Sequence, residues 1–378
     1  MIFLLVMRFS LLTLFAYNLI LLVRNEKERI EKADAQERRC YDLPHRKRSK
    51  RLSCNRLPSA NRQRNVREPA KSRVLKLIDK YNFKPNVMAQ SLYLKQSKML
   101  GIILPDIDHP FYSMLAKELE RQALERGYTC LLCNSMQNFA IEQSYLDNLI
   151  SRQVDGIVFL GGRINQTNPT DELRDGMINA LKHVPIVLVN GKMDGADAHI
   201  IRTDEANGMR RLLDLLGHHG HRKIGLIGGE IGVSSTDEKI EVFKQVMKQK
   251  GWTYKDEWIV NSGYSIQGGE QDALSLLHLD EKPTAVMCIN DFVAIGAIKM
   301  FQKFGLKIPN DMSVTGFDDT YLAEHFPPGV TSVNHNYQLL AKKTIETLIG
   351  LIAQEEQERE TVIPTFVTVR NSCEERQS

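Results

Sequence analysis

From residue 98 to the C-terminal end, short apolar runs alternate with amphipathic stretches, and no other feature of the chain limits its fold so tightly. MLGIILPDI, YTCLLCNS, DGIVFLGG, PIVLVNG, KIGLIGG, TAVMCIN and DMSVTGFDD have the length and β-branched content of strands. Between them FYSMLAKELERQALERG (closed by Gly127), IEQSYLDNLISRQ, ANGMRRLLDLLGHHGH, EVFKQVMKQKG and DFVAIGAIKMFQKFG repeat at helical spacing. Strands apolar along their whole length are buried on both faces, which is the habit of parallel sheets covered by helices. The units are too many for one small sheet. The expected fold is therefore α/β, two doubly wound lobes facing a cleft, with ligands bound beyond the carboxyl ends of the strands.

The last part of the chain fits this plan. VTSVNHN leads into the helix LLAKKTIETLIGLI, the charged QEEQERE and a strand, TVIPTFVTVRNS, which would cross between lobes once more. The boundaries expected are 98–195 with 329–355 for the first lobe, and 196–328 with 356–378 for the second.

Charge separates the two ends. Residues 1–73 carry 18 Lys/Arg against 7 Asp/Glu, so the remaining 32 Lys/Arg face 39 Asp/Glu. A basic head on a mildly acidic body suits a nucleic-acid contact at one end only. The basic run HRKRSKRLSCNRLPSANRQRNVREP, residues 45–69, shows neither helical nor strand period. Six cysteines without repeated spacing do not form a disulfide framework in a chain of 378 residues, which favours a reducing, cytoplasmic compartment. Cys130 and Cys133 have redox-motif spacing, but on a strand residues three apart point to opposite faces, and core packing is expected for both. Residues 1–23, MIFLLVMRFSLLTLFAYNLILLV, are long enough to span a bilayer. They read either as a membrane anchor or, with the rest of 1–44, as non-native upstream sequence.

From Val66 to Cys373 three linked stretches, VREPAKSRVLKLIDKYNFKPNVMAQSL, KMLGIILPDIDHPFYSMLAKELERQALERGY and PTAVMCINDFVAIGAIKMFQKFGLKIPNDMSVTGFDD, resemble the lac-repressor family of bacterial transcription regulators. The resemblance implies a helix-turn-helix head, a hinge helix and a sensor core of two lobes like those of periplasmic binding proteins. It also implies a homodimer acting on double-stranded operator DNA. VMAQSLYL matches the family's hinge helix, so Asn86, Ala89, Gln90 and Leu92 are expected at the DNA, with Leu92 wedged into the minor groove. Residues 45–97 would then be the remnant of the DNA-binding head plus the hinge.

Residues 45–64 do not look like such a head, and the genetic code suggests why. With suitable synonymous codons, HRKRSKRLSCNRLPSANRQR read one base later gives IANAANVSAATVSRALTGKG, whose T-V-S-R matches the family's recognition helix. A frame error over this run is one expectation. A nonspecific phosphate-binding arm, a localisation signal and a solvated linker are the others.

Within the cleft the resemblance implies effector contacts from Phe111, Tyr112, Asn290 and Asp318, with Asn290 and Asp318 also able to cap the helices that follow them. SSTDEKIEVF places Asp237 where many family members carry a ligand-contacting arginine. Asp237 there would favour a neutral or amino-bearing effector over a phosphate or a carboxylate. No catalytic constellation, metal site or cofactor is expected: His218, His219 and His221 read as a solvent-facing loop, GLIGGEIG lacks a dinucleotide fingerprint, and Asp318-Asp319 has no nucleophile beside it. The expected function is a DNA-binding regulator, most often a repressor, controlled by a sugar or sugar-like effector. The alternative is a solute-binding protein of the same fold, tethered or free.

Overall fold

A computed structural model describes residues 96–375. The hinge residues Asn86, Ala89, Gln90 and Leu92, the basic run and the apolar residues 1–23 lie outside the described residues. The first sheet holds six parallel strands in the order β11-β5-β4-β3-β1-β2. They are β1 (Met99–Leu104), β2 (Thr129–Asn134), β3 (Gly156–Leu160), β4 (Ile186–Val189), β5 (His199–Thr203) and β11 (Glu360–Ile363). The second sheet runs β7-β6-β8-β9, also parallel, from β6 (Ile224–Ile227), β7 (Ile259–Val260), β8 (Ala285–Cys288) and β9 (Ser313–Thr315). An antiparallel pair, β10 (Ser332–Asn334) with β12 (Phe366–Thr368), completes the strands.

Alternation along each strand serves two cores. In β1, Leu100, Ile102 and Leu104 enter one cluster with Leu115 and Leu119 of α1 (Pro110–Glu125) and Leu340 and Ile345 of α9 (Tyr337–Ile352). Ile103 points the other way, to Leu146 and Leu149 of α2 (Phe139–Ser151) and Met177 of α3 (Asp171–Leu181). The second lobe repeats the scheme. Val286 and Cys288 of β8 face α6 (Ile266–Leu277) and α7 (Asp291–Lys303), whereas Ala285 and Met287 face α4 (Glu205–His218) and α5 (Ser234–Gln249). A short α8 (Tyr321–His325) follows β9. Burying side chains of this size contributes roughly 1.5–3 kcal/mol each, which is why a fully apolar run selects a central strand. Cys130 and Cys133 behave as expected of alternating positions: Cys130 packs beside the α1 core, Cys133 inside the α2 core, and both are free thiols.

Helices α6 and α7 lie unusually close because glycine occupies both contact points. A Cβ at Gly296 would strike the carbonyl oxygen of Ile266, and one at Gly269 the carbonyl oxygen of Val293.

The crossing points differ from those expected. His199–Thr203 and Glu360–Ile363 hydrogen-bond into the first sheet, not the second, while Ser332–Asn334 packs with the second lobe through Val333. Among the described residues the chain crosses at Asp204, at His335–Asn336 and at Pro364–Thr365. TVIPTFVTV is thus two strands in two sheets, split at Pro364, because proline gives the ladder no donor. The three crossings are tied together. Asp204 N donates to Ile363 O at 2.9 Å, and the Thr365 hydroxyl donates to Asp204 O at 2.9 Å. The Thr203 hydroxyl lies 2.9 Å from His335 Nδ1.

The histidine loop is also not wholly solvent-facing. His221 is buried, with Nδ1 3.0 Å from the Thr284 hydroxyl and Nε2 3.0 Å from the Ser313 hydroxyl. Among the described residues no helix is long and apolar enough to cross a membrane.

Candidate functional site

The segments that follow β1, β3, β4, β5, β6, β8 and β9 converge on one cavity of about 280 Å³ between the lobes. That is near the small end of the roughly 300–1,000 Å³ usual for ligand sites. Parallel strands deliver this geometry, since all their carboxyl ends open on the same side. The loop after β3 is pinned by Arg163, fully buried against the Glu142 carboxylate; Arg163 Nη1 also donates to Gln143 Oε1 at 2.8 Å and to Leu173 O at 3.2 Å. Asn165 and Gln166, two and three residues on, reach the cavity wall.

Aromatic rings form one side. Phe111 meets Tyr112 edge-on at 5.0 Å between centroids and His335 at 4.9 Å. Gly161, at φ 61°, leaves the space that the Tyr112 hydroxyl fills; a Cβ there would come within 2.6 Å of it. Burial pushes the Tyr112 phenol well above its ordinary pKa.

Polar groups form the floor. Asp318, at φ 98°, accepts from His335 Nε2 at 3.0 Å and its own carbonyl accepts from the Tyr337 hydroxyl at 2.8 Å. A non-glycine residue held there costs about 1–3 kcal/mol and persists because its neighbours over-determine it. Asn190 Oδ1 accepts from Thr203 N at 2.8 Å, so a single chain of contacts links Asn190, Thr203, His335 and Asp318 across both lobes.

Asn290 has two roles. Its Oδ1 caps α7 by accepting from Val293 N at 2.8 Å, which leaves Nδ2 to donate to Tyr264 O at 3.0 Å and to face His109 Nε2 at 3.0 Å. His109 Nε2 must then accept, which assigns the ring proton to Nδ1. Burial lowers the His109 pKa, in keeping with a neutral ring. Three buried polar atoms of residues lining the cavity lack a hydrogen-bond partner among the described residues: His109 Nδ1, Asn165 Oδ1 and Asn190 Nδ2. Together they offer donors and an acceptor to a ligand, and leaving such groups unmet costs about 1–3 kcal/mol apiece.

Of the residues expected from sequence, Phe111, Tyr112, Asn290 and Asp318 come together here. Asp318 does not cap α8, whose N-cap is Thr320. Asp237 is misplaced. It accepts from Gly232 N at 3.1 Å and from the Thr167 hydroxyl at 2.8 Å, and faces a shallow groove with Ile240, Lys244 and Tyr254 outside the cavity. The helix turns Lys239 inward instead, where its ammonium meets Glu205 Oε2 at 2.6 Å with both side chains buried. The argument for a neutral effector based on Asp237 therefore falls. His109, Asn165, Asn190, Glu205 and His335 were not singled out in the sequence, whereas Lys239 stands two residues after Asp237 in the stretch matched to the family's arginine. Asn190 carried a signal, standing directly after the apolar run IVLV at a strand's carboxyl end.

A periplasmic binding protein-like domain matches residues 213–373. The HTH-type transcriptional repressor PurR of Vibrio vulnificus is 29% identical over 300 residues, covering 79% of this chain and 88% of the relative. The lac repressor dimer, solved bound to operator and the anti-inducer ONPF, superposes with a TM-score of 0.68 at 21% identity, covering 77% of this chain and 99% of that one. Over 79% of its length the chain is thus similar to a transcriptional repressor, and its fold is that of the lac repressor. Another lac-repressor-family regulator, from Enterococcus faecium with bound ribose, matches with a TM-score of 0.63 at 24% identity, covering 74% of this chain and all of that one.

Proposed function

We propose that this chain is a DNA-binding transcriptional repressor of the lac-repressor family, its grip on operator DNA set by a small sugar-like effector in the interlobe cavity. One observation carries the effector reading: buried polar atoms of His109, Asn165 and Asn190 lack a partner among the described residues, and these residues line one cavity with Phe111 and Tyr112. Hydroxyls need such polar partners, and the C–H faces of a sugar need flat apolar ones. Regulators of this family solved with operator or with ribose support the pairing of the two ligands.

Coupling follows from linkage. The effector shifts DNA affinity by the ratio of its own affinities for the two lobe arrangements, and the DNA shifts effector affinity by the same factor. A homodimer would bring two copies of the hinge segment to the operator. The exposed Leu132 on edge strand β2 offers a second copy an apolar contact. The relatives matched are repressors rather than enzymes, and the proposed compartment is the cytoplasm.

The solute-binding alternative has no use for Asn86, Ala89, Gln90 and Leu92. A panel of pentoses and hexoses tested for heat protection, followed by fluorescence anisotropy of the gene's own upstream DNA with and without the protecting sugar, separates the two readings. Protection by a sugar together with a sugar-dependent change in DNA affinity is the expected outcome. Protection without DNA binding, even after the base sequence around codons 45–64 is restored to the helix-turn-helix frame, selects the solute-binding reading.

A further inference from the structure

Lys239 is the one Lys or Arg among the described residues lining the cavity, against four carboxylates: Asp106, Glu205, Glu230 and Asp318. Its ammonium is already engaged. Nζ lies 2.6 Å from Glu205 Oε2 and 4.3 Å from the centroid of the Phe317 ring, and the lysine is only 5% exposed. Both partners come from the second lobe, Glu205 from the first turn of α4 and Lys239 from the second turn of α5. These helices share one core, so the pair does not depend on how the lobes close. The N-terminus of α4 adds a favourable dipole for the carboxylate.

We propose that Glu205 sets the charge of the ligand this cavity accepts: by occupying the Lys239 ammonium it leaves no free Lys or Arg among the described residues of the lining, so an uncharged polyhydroxy ligand enters and its phosphorylated or carboxylated analogue is refused. This rests on the cavity being an effector site. Burial works against both charges, yet Lys239 stands above its ordinary pKa because Glu205 and then Asp318 outweigh burial. Glu205, opposed in the same way, is held below its ordinary value chiefly by Lys239. The pair is therefore ionised at neutral pH. An anion brought in would have to break it or lie beside three further carboxylates, whereas a neutral hydroxyl compound disturbs neither partner.

The test compares the native chain, E205Q and E205Q/K239M. Inorganic phosphate, D-ribose, D-glucose, ribose 5-phosphate, glucose 6-phosphate and gluconate are the probes, read by unfolding midpoint at matched ionic strength and by calorimetric titration. The native chain should not respond to the anions. E205Q frees the ammonium, so it should gain a saturable response to inorganic phosphate and bind the sugar phosphates roughly tenfold or more tightly relative to the neutral sugars, as one charge-assisted hydrogen bond provides. Adding K239M should abolish that gain. Should E205Q fail to fold, E205D draws the carboxylate back by one methylene and should show the same change, smaller. An anion response already present in the native chain, or an unchanged anion-to-neutral ratio in E205Q and E205D, overturns the assignment. If E205Q gains phosphate while no neutral sugar shifts any form, the sugar-effector reading fails and the charge assignment stands.

Discussion

The Thr167 hydroxyl donates to the Asp237 carboxylate at 2.8 Å, joining the first lobe to the second at the edge of the cavity. Thr167 N also donates to Gly232 O at 2.9 Å, and Gln166 bridges Val233. Asp237 touches no part of the cavity, yet it bears on closure. T167V and D237A should each weaken effector binding several-fold through the closed state, while the ligand-free unfolding free energy moves by no more than about 1 kcal/mol, the scale of one such hydrogen bond. Calorimetry on ligand and urea titration without it check the two halves. Unchanged affinity in both variants would remove the clasp from the mechanism.

His335 holds Asp318 and Thr203 at once. H335A leaves the buried Asp318 carboxylate without its His335 partner and the Thr203 hydroxyl with Asn190 Oδ1 alone, which should cost about 1–3 kcal/mol. The loss should appear as a lower urea midpoint with an unchanged slope.

The His109–Asn290 contact predicts a pH limit. Burial lowers the His109 pKa, so the folded state takes up the proton less readily than the unfolded one. Its contribution is present above the ordinary imidazole pKa and is lost as pH falls through the lower, folded value. Protonation would also set two donors against each other at Nε2. Effector affinity should therefore decline on acidification below the ordinary imidazole range. H109F should flatten that decline; an acid limb identical in H109F would assign it elsewhere.

Breaking the Lys239–Glu205 pair from one side should cost stability out of proportion to its worth. K239M or E205Q alone strands a buried charge or its partner, about 3–5 kcal/mol, whereas K239M with E205L together should come near the native value. A double-mutant cycle by chemical denaturation reads this directly.

Close packing of α6 on α7 predicts that G296A destabilises although alanine favours helix. The added methyl meets the backbone of Ile266, which cannot move aside as a side-chain end does. A loss of about 1–3 kcal/mol from overpacking should exceed the roughly 1 kcal/mol gained in helix propensity.

The sheets were legible because runs such as MLGIIL and AVMC are apolar on both faces. Other elements were not read. Asp171–Leu181 and Ile266–Leu277 are as amphipathic as the helices that were read, so their period was there to find, whereas nothing local in HIIRT or ETVI tells which sheet will pair with them. The site was half legible. Phe111, Tyr112, Asn290 and Asp318 came from matching motifs. Asp237 failed because helix phase was ignored: counting back from the buried Phe243 by one turn reaches Lys239, while Asp237 shares its face with the exposed Glu241. Glu205 and His109 carried no local mark, since their significance comes only from partners distant in sequence.

His335 belongs both to the cavity floor and to the place where the crossing strands are laced together. A molecule resting on that floor presses on the fulcrum itself. The side chain that would meet the ligand is then the same one that ties the crossing strands, so binding and the set of the lobes would share a single contact.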